Sequence, residues 1–286
     1  MCGIAGLQLR GERYRDRLGE LITGMLAQLA ERGPDSAGVA LYGDTTLCPP
    51  GWSAVSFLGA DGSAVLPNVN IAGDVQVATA PLPADELTTM VRDAVPGALV
   101  LGAGTDMAVL KGVGSPMALA ESFGLAGRAG YQAVAHTRMA TESAVTVAHG
   151  HPFSTHPDLC LVHNGSFANH DTIRRGLAAE GIACVTDNDS EVAAAFVGAC
   201  LERGDDLEKA LRRVCETFDG FYTLLVTTRT EFAVVRDAVA CKPALVAETP
   251  DWVTMASEYR ALLGLPGIEQ AKVFEPAPEE VFLWSL

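Results

Sequence analysis

The chain has 286 residues, 49% of them hydrophobic and 19% charged, and its 20 basic and 35 acidic side chains leave a net charge of −15. That balance excludes a disordered or collagen-like chain, and with no basic run it argues against a nucleic-acid partner. Seven cysteines without a C-x-x-C pair argue against a disulfide scaffold, a zinc ribbon and a local iron–sulfur ligand run. Most of them are expected to be small buried hydrophobes in a reduced, cytoplasmic protein. No secretory signal and no run of 18 apolar residues is present, so a membrane span is not expected.

MCGIAGLQL at the start reads as a short buried strand, and residues 13–31 as an amphipathic helix with Leu18, Leu21, Ile22, Met25, Leu26 and Leu29 on one face. The turn RGPDS leads to a strand at 38–42. Residues 43–70, rich in Gly, Pro, Asp and Ser, read as loop. A strand is predicted at 71–79, a helix at 84–95, two strands across 98–111 and a short helix at 116–123. Residues of about 43–130 thus form a small α/β insert within a single 1–286 domain. Strands at 132–136 and 159–162 each end at a polar cluster. Helices follow at 168–180, 189–203 and 207–217, then strands at 221–227, 232–235, 244–247, 253–256 and 281–284. Grouped strands and helices argue for an α+β layered sandwich over a doubly wound sheet. GAGTD at 102–106 has the wrong spacing for a nucleotide fingerprint.

Four short segments carry chemistry. Cys2 becomes N-terminal if Met1 is removed, which places a free thiol beside a free α-amine. An α-amine with a pKa of about 7.7–8.0 is well matched to serve as general base for a thiol of about 8.5. Gly3 and Gly6 would let a ligand approach the backbone closely. In HTRMAT, 136–141, Arg138 stands at a strand end and can grip a carboxylate in two-pronged fashion. In LCLVHNGSFAN, 159–169, the tight turn at Asn164-Gly165 offers a side-chain amide and a backbone N–H, the pair of donors an oxyanion hole needs. In TDNDSEVAAAF, 186–196, Asp189-Ser190 can cap the next helix, and the carboxylate can also bind an ammonium. Each has an ordinary reading by itself: an unremarkable cysteine, a surface ion pair, a common Asn-Gly turn, a helix cap. Taken together they fit glutamine, with its carboxylate at Arg138, its ammonium at Asp189 and its side-chain amide at Cys2.

The motifs MCGIAG (1–6), RGPDSAG (32–38), HTRMAT (136–141), HPF (151–153), VHNG (162–165) and DSE (189–191) occur in one order. With weaker matches at FDGFYTLLV (218–226), RDAVACKPAL (236–245) and MASEYRAL (255–262), the chain resembles the class II glutamine amidotransferases of the N-terminal-nucleophile hydrolase superfamily. The resemblance spans all but residues 43–130. It implies a four-layer αββα sandwich with Cys2 as nucleophile at the start of an inner strand and its α-amine as base. Asn164 and Gly165 would form the oxyanion hole, and Arg138 and Asp189 would bind the ends of glutamine. Arg32 and Asp35 would brace the site, and His151 would shape its wall through its backbone; no metal is implied. The chain departs from the family pattern at Glu142-Ser143, at His149-Gly150 and at Ala240, which stands where relatives carry glycine.

HTRMATES, MAVLKGVGSP and AESFGL look like the stand-alone glutaminase subunit of glutamate-synthase-like enzymes, including N-methylglutamate synthase. That resemblance implies ammonia delivery to a separate synthase subunit that bears FMN and iron–sulfur centres, with no cofactor in this chain. Two other classes compete: a non-catalytic regulatory subunit that keeps the fold, and an N-terminal-cysteine hydrolase of another amide. An apolar acyl substrate would need neither Arg138 nor Asp189, and a regulatory subunit would have no use for the intact set.

Overall fold

A computed structural model describes residues 2–140 and 144–286. The expectations placed on Met1, Thr141, Glu142 and Ser143 lie outside the described residues. Two antiparallel sheets face each other at the centre. The first has seven strands, in the order β14 (Lys272–Phe274), β12 (Leu245–Glu248), β13 (Trp252–Ala256), β1 (Gly3–Leu9), β8 (Gln132–Arg138), β2 (Ser36–Tyr42) and β7 (Met107–Val113). The second has four, in the order β15 (Val281–Ser285), β11 (Glu231–Arg236), β10 (Gly220–Thr227) and β9 (Cys160–Phe167).

Alternation along each strand decides what it packs against. Ala5, Leu7 and Leu9 of β1 point to one face, where they meet Ile22, Met25 and Leu29 of α1 (Leu18–Leu29). Ile4 points to the other face and joins Val134, Val162, Leu225 and Met255 in the core between the sheets. The outer face of the four-stranded sheet buries Leu161, Leu224 and Val226 against Val192 and Val197 of α5 (Asp189–Glu202) and Leu211 and Val214 of α6 (Leu207–Thr217). The result is the expected α+β sandwich of four layers, helix on sheet on sheet on helix.

A third antiparallel sheet, β4 (Val69–Ala72), β5 (Val75–Ala80), β3 (Ser53–Leu58) and β6 (Leu99–Gly104), packs on α2 (Ala84–Ala94) through Val55, Phe57, Leu87 and Val91. Two sequence expectations are corrected here. The stretch 43–70 is not all loop, because it contains β3 and the start of β4. The predicted strand at 71–79 is a hairpin, broken where Gly73 adopts a φ of +60°. Strand β7 falls inside the predicted insert, yet it pairs with β2 in the seven-stranded sheet. The short α3 (Pro116–Ser122) and α4 (His170–Ala179) complete the α-helices among the described residues.

Gly3 and Gly6 serve the fold rather than a ligand. A Cβ at Gly6 would lie 2.4 Å from Leu225 Cδ2 and 2.9 Å from Phe232 Cε2 of the facing sheet. One at Gly3 would lie 2.7 Å from Thr137 Oγ1 and 3.0 Å from Leu29 Cβ. Both glycines let β1 sit close to its neighbours.

Candidate active site

Strand pairing assembles the site. Gly3 of β1 lies opposite Thr137 of β8, so Cys2, just before β1, sits beside Arg138 at the end of β8. Asn164 and Gly165 come from β9 in the facing sheet, and Asp189 opens α5. All five line one cavity of about 460 Å³, together with His151, His163, Phe221 and Lys242.

Cys2 is held through its main chain. Its carbonyl accepts from Asn164 Nδ2 at 3.1 Å and from Arg32 Nε at 3.0 Å. Arg32 is fixed in turn by Glu258 at 2.6 Å, an ion pair whose guanidinium is only 11% exposed. The sulfur lies 3.7 Å from the Met139 carbonyl oxygen. Asp35 accepts from the Ala140 N–H at 2.8 Å and so ties the RGPDS turn to the residues after Arg138. Arg138 is itself buried, and its Nη1 donates to the Ala144 carbonyl at 3.1 Å.

Three expectations change in form. Asn164 and Gly165 do not make a turn: β9 runs on through them, with Gly165 opposite Tyr222 of β10. Gly165 has a φ of +152°, and a Cβ there would lie 2.0 Å from the Phe221 carbonyl oxygen, so only glycine fits. Helix α5 is capped by Asn188, whose side chain accepts from Ser190 N at 2.8 Å, and not by Asp189. Asp189 instead accepts from Phe167 N at 2.9 Å and from Ser190 Oγ at 3.2 Å. That leaves lone pairs on a carboxylate 22% exposed to the cavity. His151 contributes more than backbone. Its ring is buried at 4.0 Å from that of His136 and 5.0 Å from Phe153, and neither ring nitrogen has a hydrogen-bond partner among the described residues.

Burial dominates the electrostatics of His136, His151 and His163. It lowers His136 to about 3, against a hydrogen bond to the His163 carbonyl that raises it, and it lowers His151 too, where neighbouring imidazole and cationic groups push the same way. His163 is lowered by burial and partly restored by Asp189. His163 Nδ1 contacts Ser190 Oγ at 2.8 Å, which joins β9 to the first turn of α5. Among the described residues no group of three His, Cys, Asp or Glu side chains is arranged to hold a metal.

Sequence reasoning missed Lys242, Phe221 and His163 as cavity residues. Lys242 Nζ stands 4.9 Å from the Phe221 ring and, among the described residues, has no carboxylate partner. The signals were the matched segments FDGFYTLLV, RDAVACKPAL and VHNG, whose side chains could be placed only through strand pairing. Of the seven cysteines, Cys48, Cys160 and Cys200 are buried, Cys241 is exposed and the remainder are half-buried, so fewer are core residues than expected.

Comparison with known proteins places this geometry in context. A family model for a glutamine amidotransferase domain matches residues 136–264. The chain is 42% identical over 304 aligned residues to the glutamine amidotransferase-like protein GlxB of Rhizobium meliloti, covering 100% of this chain and 98% of that protein. A protein of Methanothermobacter thermautotrophicus that carries the name of a glutamine amidotransferase is 30% identical, with 100% of both chains covered. Among solved structures, one titled as the allosteric regulatory enzyme of purine biosynthesis superposes with a TM-score of 0.66 at 19% identity. That match covers 99% of this chain and 47% of the other, and it shows a shared fold.

Proposed function

The chain belongs to the class II glutamine amidotransferases and is a glutamine-hydrolysing enzyme of that family, and on that premise we propose that Cys2 performs the hydrolysis through a thioester and that the ammonia passes to a separate synthase subunit. One observation carries the reading: Cys2, Arg138, Asn164, Gly165 and Asp189, taken from four separate segments, line a single cavity.

With Met1 removed, the α-amine of Cys2 takes the thiol proton. The thiolate attacks the side-chain amide carbon of glutamine, and the developing oxyanion is met by Asn164 Nδ2 and the Gly165 N–H. Asn164 Nδ2 already donates one hydrogen to the Cys2 carbonyl, and the amide has a second for the substrate. Collapse breaks the C–N bond; the ammonium form of the base supplies the leaving proton, and ammonia departs. The same amine then activates a water that splits the thioester to glutamate. Arg138 and Asp189 hold the α-carboxylate and α-ammonium, which sets the amide against the sulfur. Arg32, Glu258 and Asp35 position Cys2 and Arg138 without touching substrate.

The subunit reading is supported by the HTRMATES, MAVLKGVGSP and AESFGL segments. It is also supported by the two named relatives, matched over 98% and 100% of their own lengths, so chains of this size with this domain recur. The acceptor is taken to be a glutamate-synthase-like or N-methylglutamate-synthase-like partner that carries FMN and iron–sulfur centres. Purification of the native complex under mild conditions tests this. Co-purification of a chain with flavin absorbance and stoichiometric iron is the expected result; a glutaminase chain that purifies alone at native concentration, or with a partner devoid of flavin, contradicts it.

A further inference from the structure

A second cavity, of about 400 Å³, lies between the third sheet and the main body, and it shares no lining residue with the glutamine cavity. That volume is in the range of small-molecule sites. Helix α2 turns one face to it: Asp85, Thr88, Thr89 and Arg92 recur at helical spacing, while Leu87 and Val91 pack on the third sheet. The two threonine hydroxyls donate back to the Ala84 and Asp85 carbonyls, which leaves their oxygens as acceptors. Arg92 makes no ion pair or hydrogen bond among the described residues.

Facing α2 is Lys111 of β7, only 5% exposed. Its Nζ donates to the carbonyls of Gly150 and Pro152 at 2.9 and 3.2 Å, which leaves one N–H unused. Beside it the buried Ser154 Oγ has no partner among the described residues. Glu191, which also lines the cavity, accepts from Val185 N at 2.6 Å, Thr186 N at 2.7 Å and Thr186 Oγ1 at 2.5 Å. Phe153, Leu99, Val100 and Pro157 supply an apolar remainder. The cavity thus sets Arg92 and Lys111 against Glu191, whose oxygens are engaged by three hydrogen bonds, and Asp85, which stands exposed at the rim, so its unused donors, on Arg92, Lys111 and Ser154, suit an anionic group at the Lys111 end.

We propose that this cavity binds a small anion, a carboxylate or phosphate on an apolar body, and that its occupancy tunes the glutamine site. The second half of the proposal rests on the glutaminase reading above. The two cavities share their supports. Lys111 holds the carbonyls on either side of His151, which lines the glutamine cavity. The segment that ends in Thr186 on one cavity continues through Asp187, Asn188 and Asp189 on the other. An anion that draws Lys111 Nζ competes with the two carbonyls, so the ligand has different affinities for two arrangements of the wall, as coupling requires.

The test is a TROSY titration of the ¹⁵N-labelled chain with benzoate and phenyl phosphate as anionic probes and benzylamine as the opposite-charge control. Saturable shifts are expected at Gly102, Ala103 and Thr155 with at least one anion and none with benzylamine. Arg92→Ala should weaken binding roughly tenfold, as loss of a charged hydrogen bond does. No response to either anion, an equal response to benzylamine, or unchanged affinity in Arg92→Ala overturns the site. Calorimetric glutamine binding with and without saturating anion tests the coupling. A roughly five- to tenfold change is expected; an unchanged affinity overturns the coupling and leaves the site standing. A chain that binds no glutamine at all sinks the glutaminase reading, and the NMR titration still decides the second site.

Discussion

Acidification probes the buried histidines in and behind the wall of the glutamine cavity. His136, His151 and His163 are buried, and burial is the largest influence that keeps each imidazole neutral. For His136 the value falls from 6.5 to about 3. The unfolded chain therefore takes up this proton first as pH drops. The stability contributed by His136 is complete above about pH 6.5 and is lost progressively as pH falls toward the folded value near 3. At pH 5, about 1.5 units below the unfolded value, the loss from this residue is about 2 kcal/mol, at ~1.4 kcal/mol per unit. His151 and His163 act in the same direction, His163 less so because Asp189 favours its protonation. Against a total of about 5–15 kcal/mol, such a change is easily measured by urea unfolding at a series of pH values from 7.5 to 5. His136→Gln keeps an amide N–H for the His163 carbonyl, which His136 Nε2 contacts at 3.2 Å, and cannot titrate. The variant is expected to flatten the pH slope by about 1.4 kcal/mol per unit below pH 6. An identical slope in variant and wild type would refute the claim that burial holds His136 neutral.

Asn164→Ala should lower glutamine turnover by about 10²–10³, the loss typical of one oxyanion donor; an unchanged kcat removes Asn164 from that role. Asp189→Asn keeps one oxygen to accept from the Phe167 N–H and turns an amide N–H toward Ser190 Oγ, which can accept it, so it should raise the KM for glutamine with little change in unfolding free energy. Asp189→Ala should raise the KM and also lose ~1–3 kcal/mol of stability, because the Phe167 N–H is left without its acceptor. Equal KM values for Asp189→Asn and wild type would show that the carboxylate does not hold the ammonium. Ala240 occupies a left-handed conformation, φ +50°. Ala240→Gly is expected to raise stability by up to about 1 kcal/mol, the steric relief outweighing the extra chain entropy; a loss of stability in denaturant titration would contradict it.

Cys2, Arg138 and Asp189 were legible as candidates because their motifs sit at strand and helix ends, and Asn164-Gly165 because a polar pair breaks the apolar run of LCLV. What they share in space was not legible. It depends on β1 and β8 pairing with Gly3 opposite Thr137 and on β9 running through Asn164-Gly165, which local turn propensity disfavours. That run is possible because Gly165 accepts a φ of +152° beside β10. Strand β3 was hidden by the Gly- and Pro-rich flanks of SAVSFL, whose partners β5 and β6 lie far along the chain. The role of Gly6 could be read only once the facing Leu225 and Phe232 were in place. Lys242 escaped notice for the same reason: its neighbours in the cavity come from β9, β10 and α5.

The central claim is that Cys2 forms a thioester with the γ-carbonyl of glutamine. Acid quench of the enzyme during steady turnover, followed by mass spectrometry of the N-terminal peptide, measures it directly. The account predicts a peptide that begins at Cys2 and carries one added glutamyl group, absent when Cys2→Ala is treated in the same way. A glutamyl adduct on another residue, or full glutaminase activity from a chain that retains Met1, would contradict it.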